Sequence, residues 1–76
     1  MEKELIKILS EDLLDPEEPI QKDTDLFEAG LDSMGIMQLM LAVEDHFGVS
    51  IDPVDLSRDN FQTVARIATL IRSKQD

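Results

Sequence analysis

The chain has 76 residues, with 17 acids against 7 bases and a formal net charge of -10. That is one small domain near the lower limit for an unaided core, and its charge repels DNA, RNA and anionic membrane surfaces while attracting basic protein patches. There is no cysteine, which excludes disulfide staples, thiolate metal ligands and a nucleophilic thiol of the chain's own.

No apolar run is long enough to span a bilayer, and Met1-Glu2-Lys3-Glu4 lacks the basic and apolar regions of a signal peptide. The expectation is a soluble, cytoplasmic, monomeric protein that does not insert into a membrane. A hydrophobic content of 42% supports a core and argues against disorder.

Leu5, Ile6, Leu9 and Leu13 recur at helical spacing and predict a first helix over residues 2–14. Asp15-Pro16 should stop it, because the residue before a proline is pushed out of the helical region. Residues 15–32 then form a long linker with seven acids and Lys22 as its one base. Ile20, Leu26, Phe27 and Leu31 are the residues able to pin it to a core. Asp23-Thr24-Asp25 is similar to the start of a calcium loop, but Glu28 stands where that loop needs glycine, so calcium is rejected.

Asp32 reads as an N-cap and Ser33 as the first residue of a second helix ending near Phe47, with Gly48 as its stop. Ile36, Leu39, Met40, Val43 and Phe47 share one side of it and are core candidates. Met34, Met37 and Leu41 fall roughly opposite, beside Gln38 and Asp45. Either this is a central helix covered nearly all round, or those residues are a docking surface. Methionine suits a surface that meets several partners, and a small domain has little material to cover a second face, which favours docking.

Asp52-Pro53 predicts a short helix through Leu56, and residues 57–62 a connection. Thr63 caps a last helix with Val64, Ile67, Ala68 and Ile71 on one stripe and a basic end. The fold class is therefore all-α: a small four-helix bundle, three principal helices plus one short helix, with a long loop between the first and second, in a single domain over residues 1–76.

Ser33 following Asp32 is by itself ordinary capping chemistry. A hydrolase is excluded, because no glycine stands two residues before Ser33 and the one histidine, His46, lies more than three turns further along the same helix. A phosphodiester, by contrast, suits the unpaired N–H groups and positive dipole end of a helix N-terminus. The stretch Asp25-Leu26-Phe27-Glu28-Ala29-Gly30-Leu31-Asp32-Ser33-Met34 resembles the phosphopantetheine attachment motif of acyl and peptidyl carrier proteins. The resemblance extends over nearly the whole chain, through Glu44-Asp45-His46-Phe47, Ile51-Asp52-Pro53 and the Thr63-Val64 helix start.

The resemblance implies that Ser33 carries a covalent 4'-phosphopantetheine arm with Asp32 as its motif partner, and that the protein is not an enzyme. A phosphopantetheinyl transferase would install the arm, whose thiol would hold an acyl or aminoacyl group as a thioester. Met34, Met37, Gln38 and Leu41 would meet the partner enzymes, with nearby acids as steering charge. Carriers of fatty acid synthesis usually have acids two and five residues after the serine, where this chain has Gly35 and Gln38. Gly35 and Arg58-Asp59-Asn60-Phe61-Gln62-Thr63 look more like free-standing D-alanyl and other discrete aminoacyl carriers, which are loaded by an AMP-forming ligase and serve a downstream acyltransferase or synthase. A fatty-acid or polyketide carrier is the alternative within the family, and an acidic helical adaptor without cofactor the alternative outside it.

Overall fold

A computed structural model describes residues 1–14 and 19–75. Helix α1 runs Glu2–Ile8, α2 Ser33–Phe47 and α3 Val64–Gln75, and among the described residues there is no strand. Helix α1 packs against both α2 and α3. One core cluster joins them, with Leu5, Leu9, Leu39, Val43, Phe61, Val64, Ile67 and Ile71 among its buried side chains.

The first predicted helix is realised in two windings. After Ile8 the chain continues as a π-helical segment, Leu9–Leu13, closed by the Leu14 N–H donating to the Leu9 carbonyl at 2.7 Å. Leu13 and Leu14 at its end both pack against the core. The expected stop at Asp15-Pro16 lies outside the described residues.

Helix α2 begins and ends as its cap residues dictate. Asp32 is extended and its side chain accepts from the Gly35 N–H, while Gly48 takes the left-handed conformation at φ 68° that a residue with a Cβ adopts only at a cost. Glu44 then reaches forward, accepting from the Ile51 N–H at 2.8 Å, and so fixes the path out of the helix.

The short helix is a single 3₁₀ turn, Pro53–Asp55, with a reciprocal capping box between Asp52 and Asp55. Lys74 near the end of α3 binds this turn, its Nζ standing 2.6 Å from Asp55 and 3.5 Å from Asp52. Residues 57–62, predicted as plain connection, hold a second 3₁₀ turn, Asp59–Phe61, whose Phe61 is fully buried. Thr63 caps α3 as expected, its hydroxyl accepting from the Arg66 N–H.

Candidate functional site

The linker reaches α2 along a hydrogen-bonded path. Ile20, Leu26 and Leu31 are buried, and Phe27 packs partly buried against the same cluster. Asp25 organises the turn that follows. Its Oδ1 accepts from the N–H groups of Phe27 and Glu28, and its Oδ2 from the Gln62 side-chain amide at 3.4 Å. Partial desolvation works against the charge. The Glu28 N–H, the Gln62 amide, the Phe27 N–H and the Arg58 guanidinium outweigh it and hold the carboxyl below its ordinary value. The Leu31 N–H donates to the Leu26 carbonyl at 2.9 Å and closes the approach to the helix.

At the end of that path Asp32 Oδ1 accepts from the Gly35 N–H at 2.8 Å, and the Ile36 N–H donates to the Asp32 carbonyl at 2.9 Å. Ser33 is therefore the first residue of a firmly capped helix, and it is exposed. Among the described residues no protein group takes the N–H of Ser33 or Met34, and none bonds the Ser33 hydroxyl. Two free N–H donors, the positive end of a 15-residue helix and an accessible hydroxyl meet at one corner. A phosphodiester on that hydroxyl fits there without displacing any protein contact.

Gly35 stands one turn in, where a side chain has little room. A Cβ there would lie 2.9 Å from Leu31 Cδ1 and 3.3 Å from the capping oxygen of Asp32. The acid that fatty-acid carriers usually place here could enter only if Leu31 shifted, so the missing charge is tied to the packing of the linker.

The apolar residues on the second side of α2 are uncovered. Met34 is 72% exposed, Met37 50% and Leu41 60%, with Gln38 exposed among them. Ile36, Leu39, Met40, Val43 and Phe47 all belong to the core cluster or pack against it. Coverage of α2 on all sides is thus ruled out at Met34, Met37 and Leu41. Of the nearby acids, Glu28 and Asp45 are exposed, but Glu44 is half-buried and spends its carboxylate on the Ile51 N–H.

His46 is remote from Ser33, about 20 Å along the helix axis at 1.5 Å per residue. Its Nε2 lies 2.9 Å from Glu4 of α1, a cross-helix link that the one-helix reading of His46 missed. Two other features escaped sequence reasoning. Val54 is 84% exposed on the first 3₁₀ turn, which is too short to show a period. Arg58 places its guanidinium carbon 4.3 Å from the centre of the Phe27 ring.

A family model described as a phosphopantetheine attachment site matches residues 3–71. The D-alanyl carrier protein of Streptococcus mutans is 34% identical over 68 residues, covering 88% of this chain and 85% of that protein. The D-alanyl carrier protein of Lactococcus lactis subsp. lactis is 38% identical over 55 residues, 71% of this chain and 70% of that one. Among solved structures, a chain in the complex of an engineered Bradyrhizobium japonicum glycine:[carrier protein] ligase with a carrier protein from Agrobacterium tumefaciens and AMP is similar. It superposes with a TM-score of 0.81 at 28% identity, over 95% of this chain and 99% of that chain. The holo acyl carrier protein of Nitrosomonas europaea shares the fold, with a TM-score of 0.80 at 24% identity over 97% of this chain and 94% of that one.

Proposed function

The chain belongs to the phosphopantetheine-attachment family of carrier proteins, and on that premise we propose that Ser33 bears the arm and that the cargo is an aminoacyl group supplied by an AMP-forming ligase. When attached, the arm supplies the thiol that holds the cargo as a thioester. The observation that carries the assignment is the exposed hydroxyl of Ser33 beside two N–H groups at the start of α2, all three without a partner among the described residues. The chain's own residues hold the phosphate end of the arm and present it.

The aminoacyl reading draws support from the relatives named D-alanyl carrier proteins and from the similarity to a chain in a glycine ligase complex. The core bears on where such a cargo sits. Among the described residues the core buries no polar or charged side chain. The ammonium of an aminoacyl group would find no partner there, and burying it unpaired costs several kcal/mol. The cargo therefore stays outside, beside the acidic surface. Met34, Met37, Gln38 and Leu41 form the surface offered to the transferase, the ligase and the downstream enzyme, with Glu28 and Asp45 as steering charge.

Incubation with coenzyme A and a phosphopantetheinyl transferase, followed by intact-mass measurement, tests the attachment. The wild type gains the arm and Ser33→Ala does not. Wild type that stays unmodified would favour the cofactor-free adaptor. A panel of adenylating ligases, with D-alanine and glycine set against fatty acids, then reads the cargo, and preferential loading with a fatty acid would overturn the aminoacyl reading.

A further inference from the structure

The run Arg58 to Gln62 has so far played no part in function, yet it is what the linker before Ser33 leans on. One backbone bond joins them, and a second ties the linker to α3. The Leu26 N–H donates to the Gln62 carbonyl at 2.8 Å, and the Ala65 N–H donates to the Lys22 carbonyl at 3.0 Å. Two side-chain contacts lie outside these. The Gln62 amide reaches Asp25, and the Arg58 guanidinium covers the Phe27 ring.

The two layers do different work. Leu26 and Leu31 are buried and keep the linker docked on the core, without fixing the turn between them. Arg58 is exposed and Phe27 only partly buried, so a cation–π contact there adds little to global stability. What it does settle is the conformation of the turn. Phe27 accepts at its carbonyl from the Gly30 N–H at 3.3 Å, and Leu26 accepts from Leu31 at 2.9 Å. The next residue is Asp32, whose carboxylate caps α2. A displacement of Phe27 is therefore passed through the hydrogen bonds of this turn to Asp32, beside Ser33.

We infer that Arg58 and Gln62 are positioning residues, a latch that holds the Asp25–Leu31 turn in the one arrangement that presents Ser33 to the enzymes acting on it. The inference rests on the reading of Ser33 as the attachment residue. Opening the latch leaves the helices folded and lowers the fraction of molecules whose linker is competent, which raises apparent KM and leaves kcat unchanged.

The test pairs amide hydrogen exchange with transferase kinetics on the wild type, Arg58→Ala, Gln62→Ala and Arg58→Lys. The alanine variants should speed exchange at the Leu26 and Leu31 amides by about 2- to 5-fold, the range expected of an exposed cation–π contact. Protection of core amides in α2 and α3 stays at the wild-type level. KM for the carrier rises with kcat held, by the factor by which the competent fraction falls, and Arg58→Lys, which keeps the cation, recovers part of both effects. Unchanged exchange at those two amides overturns the latch. So does a uniform loss of protection across the domain, which would make these residues merely structural. A rise in KM without faster exchange overturns it too, because Arg58 would then be touching the enzyme. If the wild type takes no arm at all, it is the reading of Ser33 that fails, and exchange alone decides the latch.

Discussion

Replacing Met37 with glutamate separates docking from folding on a single helix. Full burial of a methionine side chain contributes about 1.5–3 kcal/mol. Met37 is 50% exposed, so roughly half that contribution, about 1 kcal/mol, is at stake. A domain of 76 residues has about 4–11 kcal/mol of stability in all, so the variant stays folded. Two residues further on, Leu39 is fully buried. A carboxylate there would be unpaired in the core, at a cost that consumes most or all of the domain's stability. The same substitution should therefore be tolerated at 37 and ruinous at 39. In docking, a charge placed in an apolar contact should cost a factor of about 10 or more, the effect of roughly 1.4 kcal/mol of unfavourable desolvation. Urea unfolding and ligase loading kinetics, run on both variants, read the two effects. A Met37→Glu midpoint shift as large as that of a core truncation, about 2–5 kcal/mol, would show that the uncovered face of α2 is a packing surface. Normal loading by a folded Met37→Glu protein would remove this residue from the docking surface.

Asp32→Ala deletes the cap bond to Gly35 and should cost about 1 kcal/mol in urea unfolding, with Asp32→Asn near wild type; equal losses would mean that the carboxylate charge, not the bond, matters. Ser33→Ala changes an exposed, unbonded hydroxyl and should alter stability by no more than about 0.5 kcal/mol while abolishing arm attachment in the mass measurement. Asp25 and Asp55 both titrate below the ordinary carboxylate value of 3.8, Asp55 chiefly through its bond to Lys74, against partial desolvation. A depressed pKa means that the stabilisation is fully present above the unfolded value and is lost as pH falls through the folded one. Stability should thus decline on acidification below about pH 4, and Asp55→Asn should flatten that decline; an unchanged acid limb would refute the assignment. Lys74 is raised above its ordinary 10.5, first by its bond to Asp55, so its contribution is full below that value and fades at higher pH. Phe61→Ala removes the largest fully buried side chain and should cost about 3–5 kcal/mol by thermal or urea unfolding, a loss that a surface connection would not produce.

The features legible in the sequence are those whose cause is local. The Asp32 and Thr63 caps depend on a side chain and a backbone group three residues on, the Gly48 stop on glycine's freedom to adopt a positive φ, and each stands where the residues put it. Helical period sorted α2 correctly into a buried side at Leu39 and Val43 and an apolar second side at Met34, Met37 and Leu41. The attachment motif around Ser33 is likewise a continuous stretch.

Period could not decide whether that second side is covered, because coverage depends on where other elements lie in space. The tertiary structure decided it by packing α1 and the π-helical segment Leu9–Leu13 against one flank of α2 and leaving the three residues open. Segments of three residues carry no period, so the burial of Phe61 and the exposure of Val54 came only from the path of the chain. The partners of Arg58, His46 and Lys74 are 31, 42 and 19–22 residues away in sequence, counting 58 − 27, 46 − 4, 74 − 55 and 74 − 52. Pairs so separated meet only after the core has brought their elements together. Composition and motif were enough to single out Ser33 as the residue proposed to bear an arm. Only the packed chain shows which contacts hold the linker against the second 3₁₀ turn.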